Sequence, residues 1–461
     1  MSICRKNPAL SINLFWGCIK LYWTFQDFQE NNTPEALITI IEAHKSSRLY
    51  REAIEADAYD QKRNTEILKY QKYLYGLSGA KYVDTISANN KLCSGFFPQF
   101  ITQENQHVLG NGCSLSDEAK RKLGNRFDTD LQRCGRNALL HGVTFGYWAG
   151  SRLYPFPVTE FAPLYDEDTG VLRAGVRFWQ VDPEKPLNFT LYDQDGFTQY
   201  RRKDGVITVV SEKQAYKDIT LTSKAFGTEI IGAENYSTLP IKQLNGNPQH
   251  QSELVGIKSQ IDAYDRVKSG FTNDLDEAAF VYWVLNGAAG MTNEELQRFR
   301  DVVRLTGVVL TEEGQTADLQ TKDIPYQARM EYLAKLESDL YRDFGAVDTK
   351  ALSGSNMVTA QIRAAYAALD AKCDMYEYEL IEFVQAVLEL VGITGETPKF
   401  KRGGVKNDLE ETQRIVLMAD YLDTETALSM FPGIQPEEVP EIMRKKELES
   451  QSRYTAMEPV E

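Results

Sequence analysis

The stretch SELVGIKSQIDAYDRVKSGFTNDLDEAA, residues 252–279, begins the part of the chain that decides the fold. Apolar side chains recur in it at a spacing of three and four, which indicates an amphipathic helix with one narrow apolar seam. The seam consists of Leu254, Ile257, Ile261, Tyr264, Phe271 and Leu275, with Lys268 in one apolar slot. About 28 residues at ~1.5 Å each predict a rod of about 42 Å.

A small mixed insert separates this helix from a second one. The segments FVYWVLNG, GVVLTEE and ADLQTKDI predict strands, and TNEE (292–295) is a capping box before a short helix that ends at Gly307. The returning helix is predicted over 326–344. Its inward side chains are predicted to be Met330, Leu333, Leu336 and Leu340. Together these elements predict a helical hairpin with a compact module at its tip.

A Gly- and Ser-rich loop and a long third helix follow the hairpin. The loop VDTKALSGSNM (347–357) lacks the pattern of a helix or strand interior, and the helix is predicted over 359–391. Its alanine-rich start permits close approach of another backbone and contains Ala360, Ala364, Ala365, Ala367 and Ala368. A thin apolar seam on each rod buries too little surface for a lone subunit. The pattern therefore predicts a partner, and a second copy is the simplest one.

The chain before the hairpin changes from helical to strand periodicity. Helices are predicted over 33–75, 86–112 and 114–141. Asp-Gly turns interrupt the aromatic and Val-rich segment 145–210 and predict an antiparallel sheet. A calcium loop is excluded at its first turn, because Val171 stands where an EF-hand needs glycine and Arg177 where it needs glutamate. The predicted fold class is α+β and mainly helical.

The charge balance bears on the class of partner. The 461 residues carry a net charge of −15, with 42% hydrophobic and 25% charged side chains, typical of a soluble protein of about two to four domains. This balance argues against a general basic surface that grips nucleic acid. It is compatible with a protein that surrounds DNA, because an acidic wall repels phosphates over about 8–10 Å. The first rod is predicted to present a mostly acidic outer face, and an ordinary solvated face explains the same residues equally well: Asp262, Asp265, Asp274, Asp276 and Glu277.

Cysteine usage and the N-terminal run bear on the compartment. Six cysteines without a CxxC pair argue against a disulfide framework and for a reducing cytosol. The apolar run 9–25 follows Arg5 and Lys6, but Lys20 interrupts it and no small-residue cleavage site follows. It is also shorter than the ~20 residues of a membrane span. A docking arm or a misassigned start codon is favoured over a targeting or membrane segment.

An enzyme is the rival class, and few motifs support it. The sequence has no GxxxxGK[ST] loop for nucleotide phosphates and no HExxH or CxxC spacing for a metal. Cys134 and His141 could meet across two helical turns, but no third group orients them, and His141 before Gly142 also fits a helix-dipole role. We predict no catalytic residue, no metal and no cofactor. A metal-dependent nuclease built from scattered carboxylates is the remaining enzyme alternative.

Four segments, taken in order, resemble a known family. They are NNKLCSGFFPQFITQENQHVLGNG (89–112), GIKSQIDAYDRVKSGFTNDLDE (256–277), LSGSNMVTAQIRAAYAALDAKCDMYEYEL (352–380) and DLEETQRIVLMADYLDTETALSMFPGIQPEEVPEIMRKKE (408–447). The ordered set resembles the portal proteins, or head-to-tail connectors, of tailed bacteriophages of the siphophage group. The similarity covers about residues 33–449, and the apolar run before it has no counterpart in the family pattern.

The resemblance implies a division of the chain. Residues 1–32 would be an N-terminal extension, 33–250 a wing of helices and then antiparallel β-structure, 251–280 and 327–345 the stem helices, 281–326 the clip, 346–358 the tunnel loop, 359–408 the long helix that returns to the wing, and 409–461 a helical crown.

The resemblance also implies partners and a location. Such proteins form a dodecameric ring at one capsid vertex of the virion, are assembled in the host bacterial cytoplasm, and enclose a channel for DNA packaging and ejection. The implied partners are double-stranded DNA, the terminase large subunit, a head-completion or adaptor protein, and the major capsid and scaffolding proteins, with no membrane. Another phage head structural protein, such as an adaptor or a scaffold, is the alternative in the same class.

Two groups of site residues follow from the resemblance. The tunnel loop would contact DNA weakly and without sequence preference through Lys350, Ser353, Gly354, Ser355 and Asn356, with Arg363 and Lys372 as weaker candidates. The alternative is a plain helix connector in which Ser355 or Thr359 is the N-cap. The clip would dock the packaging motor and later connector proteins through Trp283, Arg298, Arg300 and Arg304. The alternative there is a core tryptophan among solvated arginines.

Overall fold

The structure, a computed structural model, describes residues 23–75, 79–85, 87–223, 227–278, 282–286, 292, 298, 316–320, 326–350, 359–404, 408–418, 421–431, 434 and 439–455. The described helices are α1 (Phe25–Glu30), α2 (Pro34–Lys45), α3 (Arg48–Asp60), α4 (Thr65–Lys69), α5 (Phe96–Leu109), α6 (Asp117–Leu123), α7 (Phe127–His141), α8 (Leu254–Ala278), α9 (Tyr326–Phe344), α10 (Thr359–Leu390), α11 (Asp408–Met418), α12 (Thr424–Met430) and α13 (Val439–Thr455). The described strands are β1 (Tyr73–Tyr75), β2 (Lys81–Val83), β3 (Cys113–Ser114), β4 (Val143–Trp148), β5 (Leu153–Pro157), β6 (Phe161–Tyr165), β7 (Leu172–Trp179), β8 (Leu187–Asp193), β9 (Gly196–Lys203), β10 (Val206–Gln214), β11 (Lys217–Ser223), β12 (Gly227–Glu234), β13 (Ile241–Asn245), β14 (Tyr282–Asn286), β15 (Thr316–Gln320) and β16 (Lys399–Phe400).

The largest core joins the N-terminal helices to the long helix α10. Phe100 of α5, Leu131 of α7 and Leu380 of α10 are fully buried in it. The base of the helical hairpin enters the same core through Ile261 of α8 and Leu340 of α9. The hairpin is therefore anchored at its base in the main core.

A five-stranded antiparallel sheet in the order β10-β9-β8-β7-β6 confirms the Asp-Gly prediction. Leu37 and Ile41 of α2 pack with Phe189 in the cluster that covers one face of the sheet. At the β9–β10 turn, Asp204 and Gly205 both have positive φ, 50° and 81°. That combination is the backbone requirement of a type I′ hairpin turn, whose twist matches the flanking strands.

The end of α7 fixes the approach of the chain to the hairpin. The helix ends at Gly142, as predicted, in the left-handed conformation with φ 83°. A Cβ atom at this position would lie 2.5 Å from the backbone of Gln251. The segment that leads into α8 can therefore pack directly on the end of α7 only because residue 142 is a glycine.

The hairpin of α8 and α9 is antiparallel, as the sequence predicts. The Phe271 and Tyr326 ring centroids lie 5.7 Å apart, and Gln260 donates to Asp343 at 2.6 Å nearer the base. The predicted apolar seam is confirmed at the base of the hairpin, where Leu254, Ile257, Ile261 and Leu340 are buried. Two of the predicted inward side chains, Leu275 and Met330, are instead 51% and 44% exposed, so the prediction is wrong for them within one subunit.

Part of the insert at the hairpin tip is described. Strand β14 pairs with β15, which confirms the predicted strands in FVYWVLNG and ADLQTKDI. The predicted strand GVVLTEE and all but Thr292 and Arg298 of the predicted clip helix lie outside the described residues.

Candidate functional site at the base of the helical hairpin

The buried stripe of α8 continues beyond Ile261 as a row of polar side chains. Asp265, Ser269 and Asn273 lie one turn apart and are 0%, 2% and 3% exposed. They accept hydrogen bonds from alternate backbone N–H groups of the extended segment 90–94, at 2.8, 3.0 and 2.6 Å. The two spacings match because four helical residues rise about 6 Å, nearly the advance of two extended residues. We call this arrangement the polar ladder.

The polar ladder corrects two sequence predictions. The helix predicted over 86–112 begins only at Phe96, because the residues before it run extended along α8 to supply these N–H groups. The predicted acidic outer face is wrong for Asp265, which also accepts from the Asn64 amide, and for Asp262, which accepts from the Tyr59 hydroxyl. These carboxylates hold the hairpin to the N-terminal helices.

A half-buried lysine lies where four parts of the fold meet. The ammonium of Lys372, on α10, lies 2.9 Å from Glu104 of α5 and 2.6 Å from Glu253 of the segment before α8. It also lies 3.3 Å from the ring centroid of Phe344, the last residue of α9. We call Lys372, Glu104 and Glu253 the lysine node. DNA contact through Lys372 stays a prediction; in the structure its ammonium is paired with these two carboxylates and the side chain is 21% exposed.

Burial dominates the electrostatics of the lysine node. Glu104 is 1% exposed, and burial raises its pKa to about 7, with Lys372 opposing the shift and Glu253 adding to it. Burial alone would lower the pKa of Lys372, but the two carboxylates raise it overall. A cavity of about 290 Å³ adjoins the node and is also lined by Asp343 and Met375. The node therefore carries two carboxylates for one lysine at the joint between the hairpin and the long helix.

Replacing Glu104 with glutamine is expected to change how stability depends on pH. Because the pKa rises from 4.5 to about 7 on folding, neutral Glu104 stabilises the fold fully below about pH 4.5, and this contribution is lost as the pH rises through about 7. The melting temperature of Glu104→Gln relative to the unsubstituted chain should therefore be higher at pH 8 than at pH 5. An equal difference in melting temperature at both pH values would contradict a raised pKa of Glu104 in the folded protein.

Of the predicted tunnel loop, 346–358, the structure describes residues 346–350. The ammonium of Lys350 lies 2.6 Å from Glu337 of α9, and its side chain is 74% exposed. Just before it, Val347 exchanges two backbone hydrogen bonds with the Gln103 amide, at 2.9 and 3.0 Å. Arg363 is exposed on α10 and forms no ion pair with the described residues. Ser353, Gly354, Ser355 and Asn356 lie outside the described residues.

Of the four residues predicted to dock partners at the clip, the structure describes Trp283 and Arg298. Trp283 lies in β14, in register with Leu319 of β15. Arg298 is exposed. Arg300 and Arg304 lie outside the part of the chain that the structure describes.

Cys134 and His141, the two groups considered for catalysis, lie in surroundings typical of residues that stabilise the fold. Cys134 is fully buried, and burial raises the pKa of its thiol, the opposite of what a nucleophile needs. His141 bonds through Nε2 to Asp57 at 2.8 Å. Within the described ranges, no three His, Cys, Asp or Glu side chains lie together in a way that could hold a metal ion. Over the same ranges, no helix combines the length and apolar character of a membrane span.

Three comparisons with known proteins bear on the chain. The family model for phage portal proteins of the SPP1 Gp6-like type matches residues 41–452. The portal protein of Bacillus phage SPP1 is 24% identical over 415 residues, which cover 81% of this chain and 79% of that protein. The portal protein of Clostridium phage phiCD119 is 22% identical over 460 residues, covering 87% and 96%. A chain in the neck of an empty GTA particle superposes with a TM-score of 0.42 and 12% identity, over 74% of this chain and 90% of that one.

Proposed function

The chain belongs to the family of SPP1 Gp6-like phage portal proteins, and we propose that it forms a dodecameric ring around double-stranded DNA at one vertex of the capsid. Portal proteins of this family are structural components of the virion. In this proposal the ring is the channel for DNA packaging and ejection. The hairpin of α8 and α9 would be the stem, and the insert between them the clip.

One observation carries the proposal of a ring. The N-terminal half of α9 leaves Tyr326, Met330 and Tyr332 58%, 44% and 50% exposed, and Leu275 of α8 is 51% exposed. Large apolar side chains at this density are typical of a surface that another protein covers. Repetition of the subunit around an axis would bury them without any further protein. Sedimentation of the full chain tests the proposal: a mass of about twelve subunits is expected, and a stable monomer at high concentration would contradict it.

We propose that Lys350 and Arg363 flank the part of the channel that contacts DNA. Both are exposed cations, one six residues after the end of α9 and one in the first turns of α10. In a ring each of them would be repeated once per subunit. Contacts of this kind are weak singly and fall with salt concentration, so DNA can pass through without a strong hold.

Replacing Lys350 with alanine is expected to weaken DNA retention by the ring while leaving the ring intact. Log affinity falls linearly with log salt concentration, and this line should become less steep by roughly one unit for each phosphate contact removed per binding site. Binding of a short duplex to purified rings measures this slope. Lys335→Ala is the matched control, because Lys335 is a similarly exposed lysine paired with Asp339 on α9. An unchanged slope in Lys350→Ala would contradict the proposal that Lys350 contacts DNA.

We propose that the clip docks the terminase large subunit during packaging and a head-completion or adaptor protein afterwards. Reversing the charge of Arg298, Arg300 and Arg304 together should abolish terminase capture by rings of normal size. Charge reversal at Arg173, an exposed arginine of the wing sheet, is the control. Normal capture by the triple variant would count against docking through the clip. The capsid and scaffolding proteins are further proposed partners of the ring.

A further inference from the structure

One flank of the hairpin carries an apolar groove between α8 and α9. Its volume is about 450 Å³. It is lined by Arg266, Val267 and Gly270 of α8 and by Ala328, Arg329 and Tyr332 of α9. The groove floor is formed by small or apolar side chains, with one guanidinium from each helix at its edge.

Gly270 is not explained by the fold of a single subunit. It lies in the interior of the 25-residue helix α8, where glycine costs stability relative to alanine. An added Cβ atom would meet nothing within 4 Å, and the same holds for Gly256, two heptads earlier. Ala263 lies midway between them, so small residues recur every seven positions on this side of α8. Close approach of a backbone from outside the subunit would explain the repeat.

Helix α10 presents a matching ridge. One face of the helix is buried in the core through Leu369, Cys373, Tyr376 and Leu380. The opposite face is exposed and consists of Ala360, Ala364, Ala367, Ala371, Met375 and Tyr378. These positions recur at a spacing of three and four over about 27 Å, as one continuous ridge on a straight helix would. Most of the ridge is alanine, which permits the smallest distance between helix axes.

Charges on the two surfaces are complementary. Arg266 is exposed at the groove edge and has no carboxylate partner in the described part of the chain. Arg329 stands on the other edge and pairs with Asp274. The ridge of α10 is flanked by Asp370 and Asp374, which pair with His107 and Arg402 of their own subunit and whose side chains are still 48% and 66% exposed. Carboxylates beside an apolar ridge would meet guanidiniums beside an apolar groove.

We propose that the alanine ridge of α10 in one subunit lies in the α8–α9 groove of a second copy of this chain. The inference rests on the proposed ring and names the surfaces that form it. The groove and the ridge are different surfaces, so the contact is heterologous and repeats around an axis, which produces a closed ring when the rotation closes. The tip of the ridge, Tyr378, and the groove residue Tyr332 would be buried together with the alanines.

Cysteine cross-linking across the contact tests the inference. Gly270→Cys and Ala367→Cys, combined in one chain, should form disulfides between subunits and give a ladder of covalent oligomers on a denaturing gel. Each single variant, and Gly270→Cys combined with Val181→Cys on the exposed wing surface, should give no ladder. Rings without a ladder in the double variant would overturn the inference and leave the proposed ring standing. Absence of rings in the unsubstituted chain would refute the proposed function instead.

A second variant keeps the inference testable if cysteine pairs disturb assembly. Gly270→Leu places a side chain in the groove, and its Cβ atom has no atom of its own subunit within 4 Å, so the melting temperature of the subunit should be retained or raised. The fraction of protein that sediments as rings should fall at least tenfold. Val181→Leu is the control and should assemble normally. Normal ring formation by Gly270→Leu would overturn the inference.

Discussion

Replacing Lys372 with methionine is expected to lower the free energy of unfolding by roughly 3–5 kcal/mol. Methionine fills a similar volume but removes the charge that Glu104 and Glu253 share, and these carboxylates are 1% and 13% exposed at the side chain. Glu104 and Glu253 would then face each other without a cation, so that they either repel as carboxylates or Glu104 takes up a proton. Denaturant unfolding of the full chain measures the loss.

The charge balance of the node supplies the control for this prediction. Adding Glu104→Gln and Glu253→Gln to Lys372→Met removes both uncompensated charges, so most of the lost stability should return. Lys372→Arg keeps the charge and should lie between the unsubstituted chain and the methionine variant. If Lys372→Met unfolds within about 1 kcal/mol of the unsubstituted chain, the node does not hold the joint together.

Replacing Asp265 with alanine is expected to lower the free energy of unfolding by roughly 3 kcal/mol. The carboxylate accepts from the Ser94 backbone N–H and from the Asn64 amide, and the side chain is completely buried. Burial raises the pKa of Asp265 while these hydrogen bonds lower it, so the carboxylate depends on its donors. Alanine would remove the acceptor of the Ser94 N–H and leave the Asn64 amide with the Ser94 carbonyl oxygen, at 3.3 Å.

Hydrogen exchange distinguishes loss of the ladder from general destabilisation. The backbone N–H groups of Leu92 and Ser94 should lose protection in Asp265→Ala before the amides of α5 do. Asp276→Ala is the matched control, because Asp276 is exposed and, among the described residues, accepts only from the Asn90 side chain. It should cost less than about 1 kcal/mol. Uniform loss of protection across α5 and the segment 90–94 would contradict a local role for the ladder.

Periodicity was sufficient to predict the elements that bury apolar side chains. The seam of Leu254, Ile257 and Ile261, the end of α7 at Gly142 and the Asp-Gly hairpins all follow from local patterns of spacing and turn chemistry. The polar ladder did not, because its partner is an extended segment 171–183 residues earlier in the chain. The only local signal is the spacing of four that carries the stripe from Ile261 to Asp265 and Ser269.

The lysine node likewise does not follow from local sequence patterns. The resemblance to portal proteins makes Lys372 a weaker candidate for DNA contact because it lies on the long helix that follows the predicted tunnel loop. The signal that was missed lies in α5, where Glu104 occupies the apolar spacing between Ile101 and Val108, both fully buried. A carboxyl group at such a position is either paired with a cation or shifted towards its neutral form, and Glu104 has both a cation partner and a raised pKa. Which cation it pairs with depends on how α5 packs on α10, which the sequence does not specify locally.

Direct imaging of the purified full chain tests the central claim, that the exposed flank of the hairpin is covered by copies of the same chain around an open axis. Negative-stain microscopy should show annular particles with one rotational symmetry and an axial hole. Folded single subunits, filaments or closed shells in place of annuli, at any concentration and salt tried, would contradict the account.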